Sequence, residues 1–187
     1  MDTLVQTAVR RITSDEFVAR ASAQTEGRYE LEDGKIVKMA AERARHNLSK
    51  AAVRRALEDA MRAAGLLNTV FADGMVVVIN DRVSREPDAI VCVGSDHDPE
   101  LIEVTDPLIV VEVLSPTTAK TDLGAKVTEY FSPATVRHYL IVDAGSRHVI
   151  HHARGMGGVI DRVVCPVGTP LVLRNPDITL EVARLLA

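Results

Sequence analysis

The strongest constraint in this 187-residue chain is the run Pro107-Leu108-Ile109-Val110-Val111-Glu112-Val113, apolar throughout except for one carboxylate. Unbroken apolar character over a strand's length suits a strand buried on both faces. A charge inside such a strand is costly unless another group pairs with it or coordinates it. Ser115-Pro116 then ends the strand, because proline has no N–H to give a ladder. Thr121-Asp122 can cap a following helix that carries Lys126 and Tyr130. An acid leaves a buried strand and a lysine arrives on the next helix. With a second acid from another strand, these groups are expected to make a metal-dependent site.

The rest of the chain supplies the layers. Residues 1–12 are weakly periodic and read as a flexible arm, with a single domain expected over residues 13–187. Thr13-Ser14-Asp15-Glu16 is a helix start, with Phe17, Val18 and Ala21 on one side. Asp33-Gly34 joins residues 28–32 and 35–39 as a hairpin, placing Tyr29 and Leu31 on one face and Glu30 on the other. Residues 41–64 form the longest helical pattern, its apolar stripe made by Leu48, Ala52, Ala56, Leu57, Ala60, Met61 and Ala64. Arg43, Arg45, Lys50, Arg54 and Arg55 fall mostly off that stripe, as a solvated face or a nucleic-acid face. Further strands are expected near residues 76–79, 89–93, 136–142, 147–153 and 160–166, and the acidic residues 94–106 read as a solvated loop. This order implies an α/β fold: a central mixed β-sheet flanked by helices, with an N-terminal hairpin.

Composition excludes several function classes. Aromatic residues make up 3% of the chain and there is no Trp, so a base-stacking surface is not expected. The formal net charge of −4 argues against coating DNA through bulk positive charge, while leaving room for a local basic patch. Cys92 and Cys165 lie apart in apolar segments and read as buried, reduced thiols. No stretch has signal-peptide or membrane-spanning character, so a cytoplasmic protein without membrane contact is expected.

Asp88 follows Pro87 at the start of one apolar strand, and Glu112 lies in another. If the strands are neighbours, the two carboxylates converge on one hard cation, the oxygen-rich set that Mg²⁺ prefers. A lysine beside them can orient or deprotonate an attacking water and offset charge in the transition state. Glu30 either adds a carboxylate to this site or faces solvent. His46, near the start of the long helix, either bonds a phosphate or a neighbouring ligand or is structural. Asp122 reads as a helix cap, and the adjacent His151 and His152 point to opposite strand faces and cannot share a metal.

Tyr29-Glu30-Leu31, Asp33-Gly34-Lys35-Ile36-Val37, Met39-Ala40, His46-Asn47, Pro87-Asp88, Val111-Glu112-Val113-Leu114-Ser115-Pro116, then Asp122, Lys126, Tyr130 and His138-Tyr139-Leu140-Ile141-Val142-Asp143 run in one order. In that order they resemble the Uma-two family of restriction-endonuclease-like proteins, from about Thr13 to the C-terminal segment. The resemblance implies the PD-(D/E)xK nuclease fold and a Mg²⁺-dependent endonuclease acting on DNA, with Mn²⁺ able to substitute. Asp88 and Glu112 match the metal-binding acids. Leu114 stands where the superfamily's plainest pattern has lysine, and Lys126 matches the position to which this family is thought to move that role. Asp88, Glu112, Lys126 and Glu30 are thus the candidate catalytic residues, with Asp88 and Glu112 as metal ligands and His46 behind them. A homodimer is expected, since paired cuts across a duplex need two sites. Replacing Lys126 with Ala is expected to leave the fold and metal affinity nearly intact. The competing reading is a non-catalytic binding or assembly domain that retains the nuclease fold.

Overall fold

Pro107–Val113 is an interior strand, antiparallel to Ala89–Val93 on one side and parallel to His138–Asp143 on the other. The computed structural model describes residues 10–23, 27–115 and 118–186. In chain order its elements are α1 (Ser14–Ala23), β1 (Tyr29–Glu32), β2 (Lys35–Lys38), α2 (Ala44–Ala63), β3 (Asn68–Ala72), β4 (Val76–Asn80) and β5 (Val83–Arg85). There follow β6 (Ala89–Val93), β7 (Glu103–Val104), β8 (Pro107–Val113), α3 (Ala119–Asp122), α4 (Ala125–Tyr130), β9 (His138–Asp143) and β10 (His148–Arg154). β11 (Ile160–Pro166), β12 (Pro170–Leu173), β13 (Ile178–Glu181) and α5 (Val182–Leu185) complete the fold.

The central sheet runs β11-β10-β9-β8-β6-β3 and is mixed, with β8 and β9 its parallel pair. Side-chain alternation explains why β8 carries no polar face. Ile109, Val111 and Val113 pack with Val53, Leu57 and Met61 of α2 and with the β12–β13 hairpin. Val110 faces the other way, into Tyr130 and Phe131 at the end of α4 and Val77 and Ile79 of β4. Burying each such side chain contributes about 1.5–3 kcal/mol, so both faces favour the interior position.

The N-terminal hairpin belongs to a second sheet, β2-β1-β5-β4-β7, which the sequence does not announce. Its members β5 and β7 have three and two residues, too few to show a period. β7 lies within the acidic connection read as a loop and pairs in parallel with β4. The hairpin turn is as expected: Asp33 and Gly34 both have positive φ, 47° and 75°. Most of the arm, residues 1–9, lies outside the described residues, whereas Ile12 is buried and its N–H donates to the Gly34 carbonyl at 2.9 Å. Thr13 and Glu16 complete a reciprocal capping box at the start of α1.

Two readings of α2 are corrected. Leu48, assigned to the apolar stripe, is 64% exposed. Lys50, assigned to the charged face, is 5% exposed. The buried face follows Lys50, Val53, Leu57 and Met61 at spacings of three, four and four, with half-buried His46 one turn before it, and Leu48 points away from it.

Candidate active site

The site forms where β6 and β8 end side by side. Asp88 immediately precedes the Ala89–Val111 pair, and Glu112 immediately follows it. The Asp88 N–H donates to the Val111 carbonyl at 3.1 Å, and Asp88 Oδ2 accepts the Val113 N–H at 2.7 Å. This fixes the Asp88 carboxylate on the strand that carries Glu112. Both acids line one cleft of about 730 Å³, together with Glu30, His46 and Lys126. The structure therefore brings together all five sequence-derived candidates.

α4 delivers two donors to Glu112. Lys126 Nζ and Tyr130 Oη each lie 2.7 Å from Glu112 Oε1. Lys126 also stands 3.2 Å from Asp122 Oδ1 and 3.4 Å from Glu30 Oε1. Asp122, Lys126 and Tyr130 are spaced four apart, so they share one helical face across the break between α3 and α4. Asp122 is no cap. Its carboxylate is fully buried against Lys126, and α4 is preceded instead by Gly124, which makes no side-chain cap bond.

Glu30 faces the interior of the site. Its Oε1 accepts the Glu86 N–H at 3.2 Å, and its Oε2 accepts from Arg85 at 2.9 Å. Glu30 thus links the buried Arg85 guanidinium to Lys126. On the other side of Asp88, Lys50 Nζ lies 3.3 Å from Oδ1 and 2.5 Å from Glu42 Oε1, and it also binds Asp73. His46 Nε2 is 3.8 Å from Asp88 Oδ2 and 4.0 Å from Glu42 Oε1. Sequence reasoning missed Tyr130, Lys50 and Glu42 as members of the site. The helical spacings 122-126-130 and 46-50-53-57 were the signals that carried the first two.

The electrostatics follow from burial and crowding. Burial, with Asp88, Asp122 and Glu30 nearby, pushes the Glu112 carboxyl up to about 8 despite the Lys126 ammonium. Burial opposes the Lys126 charge, but Glu112, Glu30 and Asp122 outweigh it and raise its pKa, so the side chain is an ammonium at neutral pH. Burial also acts to raise Asp88, yet His46, Lys50 and the Val113 N–H hold it below the usual carboxylate range. Asp122 is raised, chiefly by burial.

This donor set fits a divalent cation. Asp88 and Glu112 present hard carboxylate oxygens from adjacent strand ends, and Glu112 is pushed up first by burial and then by the neighbouring Asp88, Asp122 and Glu30 carboxylates, whose crowding a cation would relieve. Glu42, His46 and Asp88 also hold ligand atoms within 4.8 Å of one another, an N/O set that suits Mn²⁺ or Zn²⁺ better than Mg²⁺. Lys50 already neutralises part of that second set.

Residues 14–183 match the Uma2 family, described as "Putative restriction endonuclease". The chain belongs to the Uma2 family. Among solved structures, a "putative nuclease belonging to DUF820" from Anabaena variabilis ATCC 29413 is similar, with a TM-score of 0.72 and 17% identity over 94% of this chain and 97% of that one. At that identity the likeness establishes the fold, which is the restriction-endonuclease-like α/β architecture expected from the resemblance. No curated protein matches. Among the described residues of this Uma2 protein, no helix is long and apolar enough to cross a membrane.

Proposed function

We propose that this Uma2 protein is a metal-dependent endonuclease that hydrolyses DNA phosphodiester bonds at the Asp88–Glu112–Lys126 cleft. The single observation carrying the reading is the convergence of two strand-end carboxylates and a buried lysine on one open cleft. Asp88 and Glu112 would hold Mg²⁺, or Mn²⁺ in its place. Such an ion, when bound, supplies Lewis-acid polarisation of a phosphoryl oxygen and lowers the pKa of an attacking water.

The chain's own residues do the rest. Lys126 is an ammonium, so it acts as a hydrogen-bond donor and a positive charge rather than as a resting base. It orients the attacking water and offsets the charge that grows on the pentavalent phosphorus. Glu30 and Asp122 keep that ammonium charged and in place through their ion pairs. Val113 and Lys50 fix the Asp88 carboxylate, and Tyr130 fixes Glu112. Hydrolysis places hydroxide on phosphorus and a proton on the departing sugar oxygen, breaking one P–O bond per water consumed.

A homodimer is the assembly that gives paired cuts, and the exposed edge strand β2, with Ile36 and Val37, is a suitable contact. Sedimentation of the full chain tests this. Plasmid cleavage in Mg²⁺ and Mn²⁺ tests the activity, with Glu112→Gln as the inactive control. Cleavage by Glu112→Gln at the wild-type rate would sink the assignment. Metal binding without any cleavage would leave a binding domain on a nuclease fold.

A further inference from the structure

The floor of the cleft is anionic, but its mouth carries three cations. Lys38 ends β2, Arg43 immediately precedes α2 and Arg45 lies in its first turn, and all three line the cleft that holds Asp88 and Glu112. All three are exposed. Among the described residues none of them is held in an ion pair, whereas Lys50, Arg54 and Arg62 of the same helix are paired to Glu42, Glu58 and Asp59.

Their placement works against the helix itself. The start of α2 is the positive end of its dipole, where carboxylates are favoured and cations disfavoured. Here the first turn contains no acidic residue and carries Arg45 and His46, with Arg43 at the cap position making no side-chain cap bond. A local rule broken at the rim of a cleft, with no internal partner to compensate, points to an external anion. Nor does the cluster sample a generally basic surface, because the chain as a whole carries a formal charge of −4.

The chemistry of the cleft narrows the anion. Among the described residues its lining includes no Phe, Tyr or Trp, so it offers unstacked bases no aromatic platform. What it offers is guanidinium and ammonium groups at the mouth, within the same cleft as the carboxylates. Guanidinium forks match phosphate oxygens in pairs. We propose that Lys38, Arg43 and Arg45 form a rim that grips backbone phosphates on either side of the scissile one, holding nucleic acid by charge without reading its bases. The rim also offsets the repulsion that Glu32 and Asp143, on the same cleft wall, exert on a polyanion. The word "scissile" rests on the nuclease reading above; the grip on phosphate does not.

The test is the salt dependence of binding. The full-length protein is titrated with a short fluorescent DNA duplex in Ca²⁺ over a range of KCl concentrations. Each phosphate contact contributes about 0.9 to the slope of log affinity against log salt. The triple variant K38Q/R43Q/R45Q is expected to flatten the slope by about 2.7, three contacts at that increment. Each single variant carries about one third of the change, which covers the case in which the triple variant folds poorly. Duplexes of unrelated sequence should lose affinity equally. R55Q, at an exposed position of α2 outside the cleft, is expected to leave the slope near wild type.

A rim variant with an unchanged slope overturns the proposal. So does an equal effect from R55Q, or a wild-type protein without salt-dependent duplex binding. The nuclease reading is scored separately by plasmid cleavage. A wild type that binds through the rim yet never cleaves removes the nuclease and keeps the rim. A wild type that cleaves while the rim variants bind with its own slope removes only the rim.

Discussion

Lys126 Nζ stands 2.7 Å from Glu112 Oε1, with both side chains almost entirely buried. The lysine is therefore part of the site's internal charge balance as well as a candidate for the chemistry. This revises the expectation that Lys126 can be removed without consequence for the fold. Lys126→Met should lower cleavage by on the order of 10²–10⁴, the usual loss for a positioned catalytic group. It should also destabilise the metal-free protein by about 3–5 kcal/mol, because Glu112, Glu30 and Asp122 lose their shared counter-charge. Urea unfolding beside plasmid cleavage measures both. Wild-type cleavage by this variant would place the catalytic amine elsewhere.

Asp88→Asn should act on the metal. The replacement amide oxygen can still accept the Val113 N–H, so the strand ends keep their geometry. The lost charge should weaken Mn²⁺ binding by at least the roughly 10–100-fold typical of perturbing a ligand's surroundings, with activity falling alongside. Calorimetric titration reads the affinity. An unchanged Mn²⁺ affinity would remove Asp88 from the ligand set.

Tyr130→Phe isolates one hydrogen bond. The phenol donates to Glu112 Oε1 at 2.7 Å and is fully buried. Losing a hydrogen bond to a buried carboxylate should cost about 1.5–3 kcal/mol, with the native fold retained. The unfolding midpoint of the variant measures this. A midpoint equal to wild type would mean that Lys126 alone suffices to hold Glu112.

The pH dependence of stability should carry the mark of a buried histidine pair outside the site. His138 Nε2–H donates to the Arg174 carbonyl at 2.9 Å, leaving His138 Nδ1 to accept from His151 Nε2 at 3.0 Å. The arrangement requires His138 neutral, and burial disfavours the charged form of His151 beside it. Burial lowers His138 and, with His138 and His152 adjacent, lowers His151 to about 4. The unfolded chain titrates near pH 6.5, above the folded value, so it binds protons first. Stability from His151 is thus fully present above pH 6.5 and is lost as pH falls towards 4, by about 3 kcal/mol in all. Urea unfolding at several pH values should show a steeper acid loss for wild type than for His151→Gln. Parallel profiles would contradict the assignment.

Much of this molecule was legible because its signals are local. The double burial of β8 shows in an unbroken apolar run, and the β1–β2 turn shows in Asp33-Gly34. The opposed directions of His151 and His152 follow from strand alternation: one ring bonds His138 and the other stacks on Tyr139. Asp88, Glu112 and Lys126 stand out in the sequence as two acids in apolar strands and a lysine on the helix that follows, and the three side chains line one cleft.

What residues 88, 112 and 126 do to one another was decided by tertiary structure alone. That β6 and β8 are neighbours, so that Asp88 meets the strand of Glu112, depends on pairing across an acidic connection that carries its own small strand. Lys50 and Asp122 looked like a solvated cation and a cap because charge favours water whenever no partner is in view. For Lys50 the partners arrive from distant segments, Asp73 and Asp88, whereas Asp122 meets Lys126 one helical turn on, and it is Glu112 and Glu30 from two strands that hold that lysine inside. Periodicity records which face of an element is buried. It does not record which opposite charge waits on the neighbouring element, and that pairing is what lets these ionised groups remain inside.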